Sequence, residues 1–255
     1  MLLALDVGNT KIACGIFDGN KLKSNLSVAT GIHRSSDEYA ALLFNLLPHH
    51  KVSKEDIKEA IMCSVVPPLV PVFEDLCLNY LGITLLVVEA GVKTGVRISM
   101  ENPREVGPDR IVNAAAAYRL YGGPAIVIDM GTATTFDVIS AEGDYMGGAI
   151  APGMEMASEA LFTRTARLPR IELVRPTNAI GKNTVTAMQS GVIFGYTGLV
   201  EGLVNRITKE LGNKPKVIAT GGYAHVIAKE TSVIEVVNRH LTLHGLQLIY
   251  DLNRR

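Results

Sequence analysis

The chain has 255 residues, 47% hydrophobic and 20% charged, with 24 glycines. That length buries one large core or two modest ones, and the composition excludes a disulfide-stapled mini-protein, a fibrous repeat and a disordered chain. Twenty-five basic residues balance twenty-five acidic ones with no basic run, which argues against nucleic acid or an anionic membrane as a partner.

Leu2 to Leu5, Lys11 to Phe17 and Lys21 to Ala29 read as three strands separated by Gly-Asn and Asp-Gly-Asn turns. No basic segment precedes the first apolar stretch, and Asp6 interrupts it after five residues, so it reads as a strand and not a signal peptide. A helical pattern at about Asp37 to Leu47 follows, then a strand at Ala60 to Val66, a helix after Pro67-Pro68 and a strand at Ile83 to Val88. The Ala-rich stretch Arg110 to Tyr121 is a helix ending at Gly122-Gly123, the expected boundary between a half at 1–121 and a half at 122–255.

The second half restarts with strands at Ala125 to Asp129, Thr134 to Ser140 and Tyr145 to Ala151. Helices at about Met154 to Thr165 and Thr184 to Leu211, a strand at Lys216 to Thr220, a strand at Val233 to Val237 between helices and a last helix from about His240 to Leu252 complete the chain. The uncharged run Gly191 to Val200 is too short to span a bilayer. Cys14, Cys63 and Cys77 form no C-x-x-C pair, which fits reduced thiols and a cytoplasmic location.

Asp6-Val7-Gly8-Asn9-Thr10 and Asp129-Met130-Gly131-Thr132-Ala133 carry the same order of Asp, apolar residue, Gly and small polar residue, at an offset of 123 positions (129 − 6). Laid over each other, they pair Thr10 with Ala133. A glycine turn after a strand can point N–H groups and hydroxyls at a phosphate, and a carboxylate at the strand end can hold a cation. Alone, Gly8-Asn9 reads as an ordinary hairpin turn with Asp6 as an Asx-turn residue. The second copy and the hydroxyls of Thr132, Thr134 and Thr135 favour phosphate binding, with a cleft between two closely packed halves. Thr220-Gly221-Gly222 at a strand-helix junction could lie flat against an adenine or ribose.

Asp109, in Gly107-Pro108-Asp109-Arg110, has two readings. It is either the N-cap of the Ala-rich helix, which spacing alone favours, or a general base beside an anion-binding Arg110. No Walker motif and no G-x-G-x-x-G fingerprint is present, and His240 and His244 lack a third metal ligand.

With Gly147-Gly148-Ala149-Ile150-Ala151-Pro152-Gly153 added, these motifs together resemble the type III pantothenate kinases, a family of the acetate kinase, sugar kinase, Hsp70 and actin superfamily, from Asp6 to about Tyr250. The resemblance implies two duplicated ribonuclease-H-like, actin-like ATPase halves of α/β class, each a mixed sheet flanked by helices. It implies ATP-dependent phosphorylation of pantothenate, the first committed step toward coenzyme A, in a homodimer whose interface helps build the pantothenate pocket. It makes Asp109 the proton acceptor and assigns ATP to the segment Asp6, Val7, Gly8, Asn9, Thr10, Lys11, Ile12 and Ala13, and to Thr132. With Gly221 and Gly222, these are the expected nucleotide contacts. Gly107, Pro108, Asp109, Arg110 and Thr184 are expected to contact pantothenate. Asp129 is expected to hold potassium or ammonium, and Asp6 magnesium. Met100 stands where the family often has a pantothenate-contacting tyrosine, and Pro108 replaces the usual small residue. The rival readings are an ATP-binding accessory factor for transcription and a kinase for another small hydroxy acid.

Overall fold

The computed structural model describes residues 1–254. Two compact units account for them: Met1–Arg97 with Glu101–Ala116 and the chain from His240 onward, and Ile98–Met100 with Ala117–Arg239. These units differ from the halves in chain order expected from the sequence, because the last helix packs with the first unit.

In the first unit, strands β1 (Leu2–Val7), β2 (Lys11–Asp18), β3 (Lys21–Ala29), β4 (Glu59–Ser64) and β5 (Leu85–Val87) form one sheet in the order β3-β2-β1-β4-β5. β1 runs antiparallel to β2 and parallel to β4. Its side chains alternate between two apolar layers, as the two-residue strand period requires. Leu3, Leu5 and Val7 enter a core with Tyr39 and Leu43 of helix α1 (Ser36–Leu46) and Phe73 and Leu76 of α2 (Val70–Leu76). Leu2 and Ala4 enter another with Val112 and Ala115 of α3 (Pro108–Tyr121) and with Leu243, Leu246 and Ile249 of α7 (Leu241–Asn253), the last of seven α-helices among the described residues. A sheet covered on both faces explains why β1 is apolar until Asp6.

Helix starts follow local chemistry. Ser35 caps α1 through a capping box: its hydroxyl accepts from Glu38 N at 3.3 Å while Glu38 Oε2 accepts from Ser35 N at 2.9 Å. α3 begins at Pro108, two residues earlier than expected, because proline at the first helical position forfeits only an N–H that would lack an intrahelical partner. The Gly107 carbonyl accepts from Arg110 N and Ile111 N, which makes Gly107 the cap, so the reading of Asp109 as N-cap gives way to Asp109 as second residue of the helix.

The second unit repeats the topology. β6 (Ala125–Met130), β7 (Ala133–Ile139), β8 (Tyr145–Pro152), β9 (Lys216–Gly221) and β10 (Val236–Val237) lie in the order β10-β9-β6-β7-β8. Again the first strand is antiparallel to the second and parallel to the fourth. This bears out two duplicated mixed sheets with flanking helices, here α4 (Met154–Arg164), α5 (Thr184–Leu211) and the short α6 (Ala224–Ile227).

The copies match down to an irregularity. The ladder slips between Ile16 and Phe17 in β2 and between Val138 and Ile139 in β7. These positions are 122 apart (138 − 16), one less than the 123 separating Asp6 from Asp129. The missing residue lies in the turn: Gly8 N donates to Lys11 O, whereas Gly131 N donates to Ala133 O. Thr10 therefore corresponds to Thr132 and not to Ala133, and the longer first turn holds one residue more.

Candidate active site

In the first unit Asp6 is the penultimate residue of β1, on the face that Leu2 and Ala4 share. Cys63 is its neighbour on β4, and the Cys63 Sγ donates to Asp6 Oδ1 at 3.6 Å. Burial, then the charge of Asp109, pushes the Asp6 carboxyl up to about 6, against the Cys63 bond and the Lys11 charge. Burial also raises the Asp109 carboxyl, opposed by the N–H and the charge of Arg110. Asp109 as a residue is only partly covered, yet its Oδ1 is sealed from solvent without a hydrogen-bond partner. A Cβ on Gly107 would stand 2.5 Å from that oxygen, so glycine is what leaves it room. Asp109 thus combines a place in the first helical turn, where the backbone dipole favours an anion, with a proton affinity above that of an ordinary carboxyl.

The phosphate-type turns offer fewer donors than the sequence suggests. The N–H groups of Gly8 and Gly131 close their own turns, at 3.1 and 3.0 Å. Asn9 and Thr10 are exposed in the first turn and Thr132 in the second. Val7 and Ile12 are fully buried wall residues, Ala13 is partly covered and Lys11 is exposed.

In the second unit Asp129, the penultimate residue of β6, lies between Thr135 on β7 and Thr220 on β9. Gly221 takes φ +89°, and a Cβ there would fall 2.6 Å from the Met130 carbonyl and 2.7 Å from Asp129 Oδ1, so the space beside this carboxylate exists because residue 221 is glycine. Around Gly222 nothing lies within 4 Å of a Cβ position. The hydroxyl cluster divides between the two faces of the sheet. Thr134 shares the core face with Phe136 and its Oγ1 is buried without a partner, while Thr135 donates to Asp137 Oδ2 at 3.1 Å. The buried Tyr145 hydroxyl donates to Asp137 Oδ1 at 2.7 Å. Met100 belongs to this unit: Ile98 bridges to Tyr145, Ser99 N donates to Tyr145 O, and the Met100 side chain lies over Gly147.

Thr184 is exposed at the start of α5, after the cap Asn183. It lines a cavity of about 850 Å³ with Ala157 and Leu161 of α4, Lys182, and Met188 and Tyr196 of α5. Of the expected site residues only Thr184 lines it. The structure thus brings Asp6, the Gly8 to Thr10 turn, Gly107, Asp109 and Arg110 into one unit, and Met100, Asp129, Thr132, Thr184, Gly221 and Gly222 into the other. Sequence reasoning passed over Cys63, Asp137 and Tyr145. Only Asp137 left a signal, as a carboxylate in the middle of an apolar strand, two residues from Thr135 and so on the same face.

Comparison with known proteins identifies the family. Residues 2–206 match the family described as type III pantothenate kinase. Type III pantothenate kinases of two Dehalococcoides mccartyi strains, BAV1 and 195, are each 53% identical over 253 residues, covering 99% of this chain and 96% and 98% of theirs. Among solved structures, a protein described as a Baf family transcriptional activator from Campylobacter jejuni superposes with a TM-score of 0.64 at 19% identity, covering 98% of both chains. Component A of the (R)-2-hydroxyglutaryl-CoA dehydratase of Acidaminococcus fermentans gives 0.55 at 15%, covering 98% of this chain and 96% of its own. At those identities the structural likeness shows the fold alone.

Proposed function

The chain belongs to the type III pantothenate kinase family, and from that premise we propose that Asp109 is its catalytic base. The reaction is the ATP-dependent phosphorylation of the primary hydroxyl of pantothenate to 4'-phosphopantothenate in coenzyme A biosynthesis. The observation that carries the assignment is the Asp109 Oδ1, buried, unpartnered and given room by Gly107. A carboxylate with a raised proton affinity is suited to accept the hydroxyl proton as the oxygen attacks the γ-phosphorus. Arg110, beside it, carries the fork geometry that pairs with the pantothenate carboxylate.

The nucleotide phosphates are assigned to the N–H groups and side chains of Asn9 and Thr10, and to Thr132 in the second unit. Gly221 and Gly222 take the adenosine. Asp6 fits a magnesium ligand, because its oxygens are hard donors and the charge of Asp109 already disfavours its bare anion. Asp129 fits a monovalent cation, because glycine keeps the space beside its carboxylate open. When bound, these cations supply charge neutralisation to the transferring phosphoryl group.

The homodimer expected from the family is assigned to a surface of the second unit, where Met156, Leu161, Phe162 and Val185 on α4 and α5 are exposed apolar side chains. Three free buried cysteines fit a cytoplasmic enzyme, and among the described residues no helix is long and apolar enough to cross a membrane.

The decisive experiment compares wild type with Asp109→Asn for ADP release, with pantothenate, with other hydroxy acids and with no acceptor, each in potassium and in sodium. Pantothenate-dependent turnover that needs potassium and vanishes in the variant is expected. Near-normal turnover by the variant would remove Asp109 from the base role.

A further inference from the structure

We propose that Thr30 is a positioning residue for ATP, holding the first phosphate turn with its N–H donors outward. The proposal rests on the reading of that turn as a phosphate site. Thr30 follows β3 and reaches the turn from its carbonyl side. Its Oγ1 donates to Gly8 O at 2.7 Å, and its N–H donates to Thr10 O at 3.0 Å.

The consequence follows from the planar trans peptide, in which the carbonyl oxygen and the next N–H point in opposite directions. Holding Gly8 O toward Thr30 turns the Asn9 N–H away from Thr30. Gly8 lacks the Cβ that would restrain its backbone, and this hydroxyl bonds the oxygen of the Gly8–Asn9 peptide itself, opposing its rotation. A rotated peptide would present an oxygen to the phosphate in place of a donor. The Gly8 N–H cannot substitute, since it is committed to Lys11 O.

Thr30 itself stands on a rigid base. The hydroxyl of Tyr39 accepts from Gly31 N at 2.9 Å and donates to Gly31 O at 3.0 Å. Tyr39 is fully buried in α1, with its ring 4.9 Å from that of Phe73.

The duplicated unit separates the general part of this device from the special one. Gly153 lies 123 positions after Thr30, and its N–H donates to Thr132 O at 3.0 Å, the counterpart of the Thr30 bond to Thr10. There the Tyr196 hydroxyl donates to the carbonyls of Pro152 and Gly153. No side chain fits at 153: a Cβ would fall 2.1 Å from Thr132 O and 2.5 Å from Gly131 O. The backbone bond is thus common to both copies, and the hydroxyl bond to the turn glycine belongs to the first alone.

The test is steady-state kinetics of Thr30→Val, Thr30→Ser, Tyr39→Phe and Thr10→Val in the full chain, with thermal melts. Losing one neutral hydrogen bond should raise the KM for ATP by about 3- to 10-fold in Thr30→Val, with the KM for pantothenate nearly unchanged and the melting temperature lower by no more than about 4 °C. Thr30→Ser should restore the ATP KM, and Tyr39→Phe should raise it less. An ATP KM unchanged in Thr30→Val but raised in Thr10→Val would overturn the inference and leave the phosphate turn standing. If neither variant moves it, the phosphate reading fails, and the inference with it. A lower melting temperature with both KM values shifted alike would assign Thr30 a structural role only.

Discussion

Cys63 and Asp6 sit side by side on parallel strands 57 residues apart, and the Cys63 thiol donates to the Asp6 carboxylate at 3.6 Å. A thiol is a weak donor, so this bond only partly offsets the burial that lifts Asp6 to about 6. The folded value lies above the ordinary 3.8, so the contribution of Asp6 to stability is complete below pH 3.8 and is lost as pH rises through 6. In protein free of metal and nucleotide, Asp6→Asn should therefore raise stability at pH 8 by on the order of 1–3 kcal/mol, seen as a higher melting temperature, and change it little at pH 4. Melts across pH check this, and a variant destabilised at pH 8 would contradict it.

Asp109→Asn should lower kcat by about 10²- to 10⁴-fold while leaving the fold intact. In the wild type, activity should fall as pH drops through the raised value of Asp109, so the acid limb of the kcat/KM profile should lie above the usual carboxylate range. Profiles of both proteins measure this, and an acid limb preserved in the variant would place the titrating group elsewhere.

Gly221 and Gly222 are adjacent and should respond oppositely to alanine. Gly221→Ala meets a positive φ, the Met130 carbonyl and Asp129 Oδ1, and should cost on the order of 1–3 kcal/mol or more, with altered potassium dependence. Gly222→Ala meets open space, so its stability should match wild type while ATP binding weakens if adenosine lies there. Denaturant melts and ATP titrations of the pair read both effects.

Gly245 lets α7 approach α3 closely: a Cβ there would stand 2.3 Å from Val112 O. Backbone cannot retreat as a side-chain tip does, so Gly245→Ala should destabilise by about 1–3 kcal/mol. Urea unfolding of the variant tests it, and an unchanged midpoint would mean that the helices can part without cost.

Much of this architecture is legible in the sequence because strand ends announce themselves: Asp6 and Asp129 break apolar runs of the same length before the same glycine. The helix expected at about Thr184 to Leu211 is α5, which the structure shows capped by Asn183 and ended by Gly212 at φ +70°. What was hidden depends on register. Nothing local tells that Cys63 faces Asp6, that Thr30 reaches Gly8, or that α7 returns to the first unit, because each is a pairing between distant segments. The strands β5 and β10 are shorter than their apolar runs, since β5 pairs with β4 over three residues and β10 with β9 over two.

The one-residue difference between the turns has a chemical consequence. Once Thr10 is matched to Thr132, Lys11 falls opposite Ala133, and the first copy alone has an ammonium at the foot of its turn, close enough to draw down the proton affinity of Asp6. The duplicated scaffolds are similar, and an ammonium at one position against a methyl at its counterpart makes their electrostatics unequal. The first turn can meet an anion with both dipoles and a full positive charge, whereas the corresponding position in the second has only dipoles to offer.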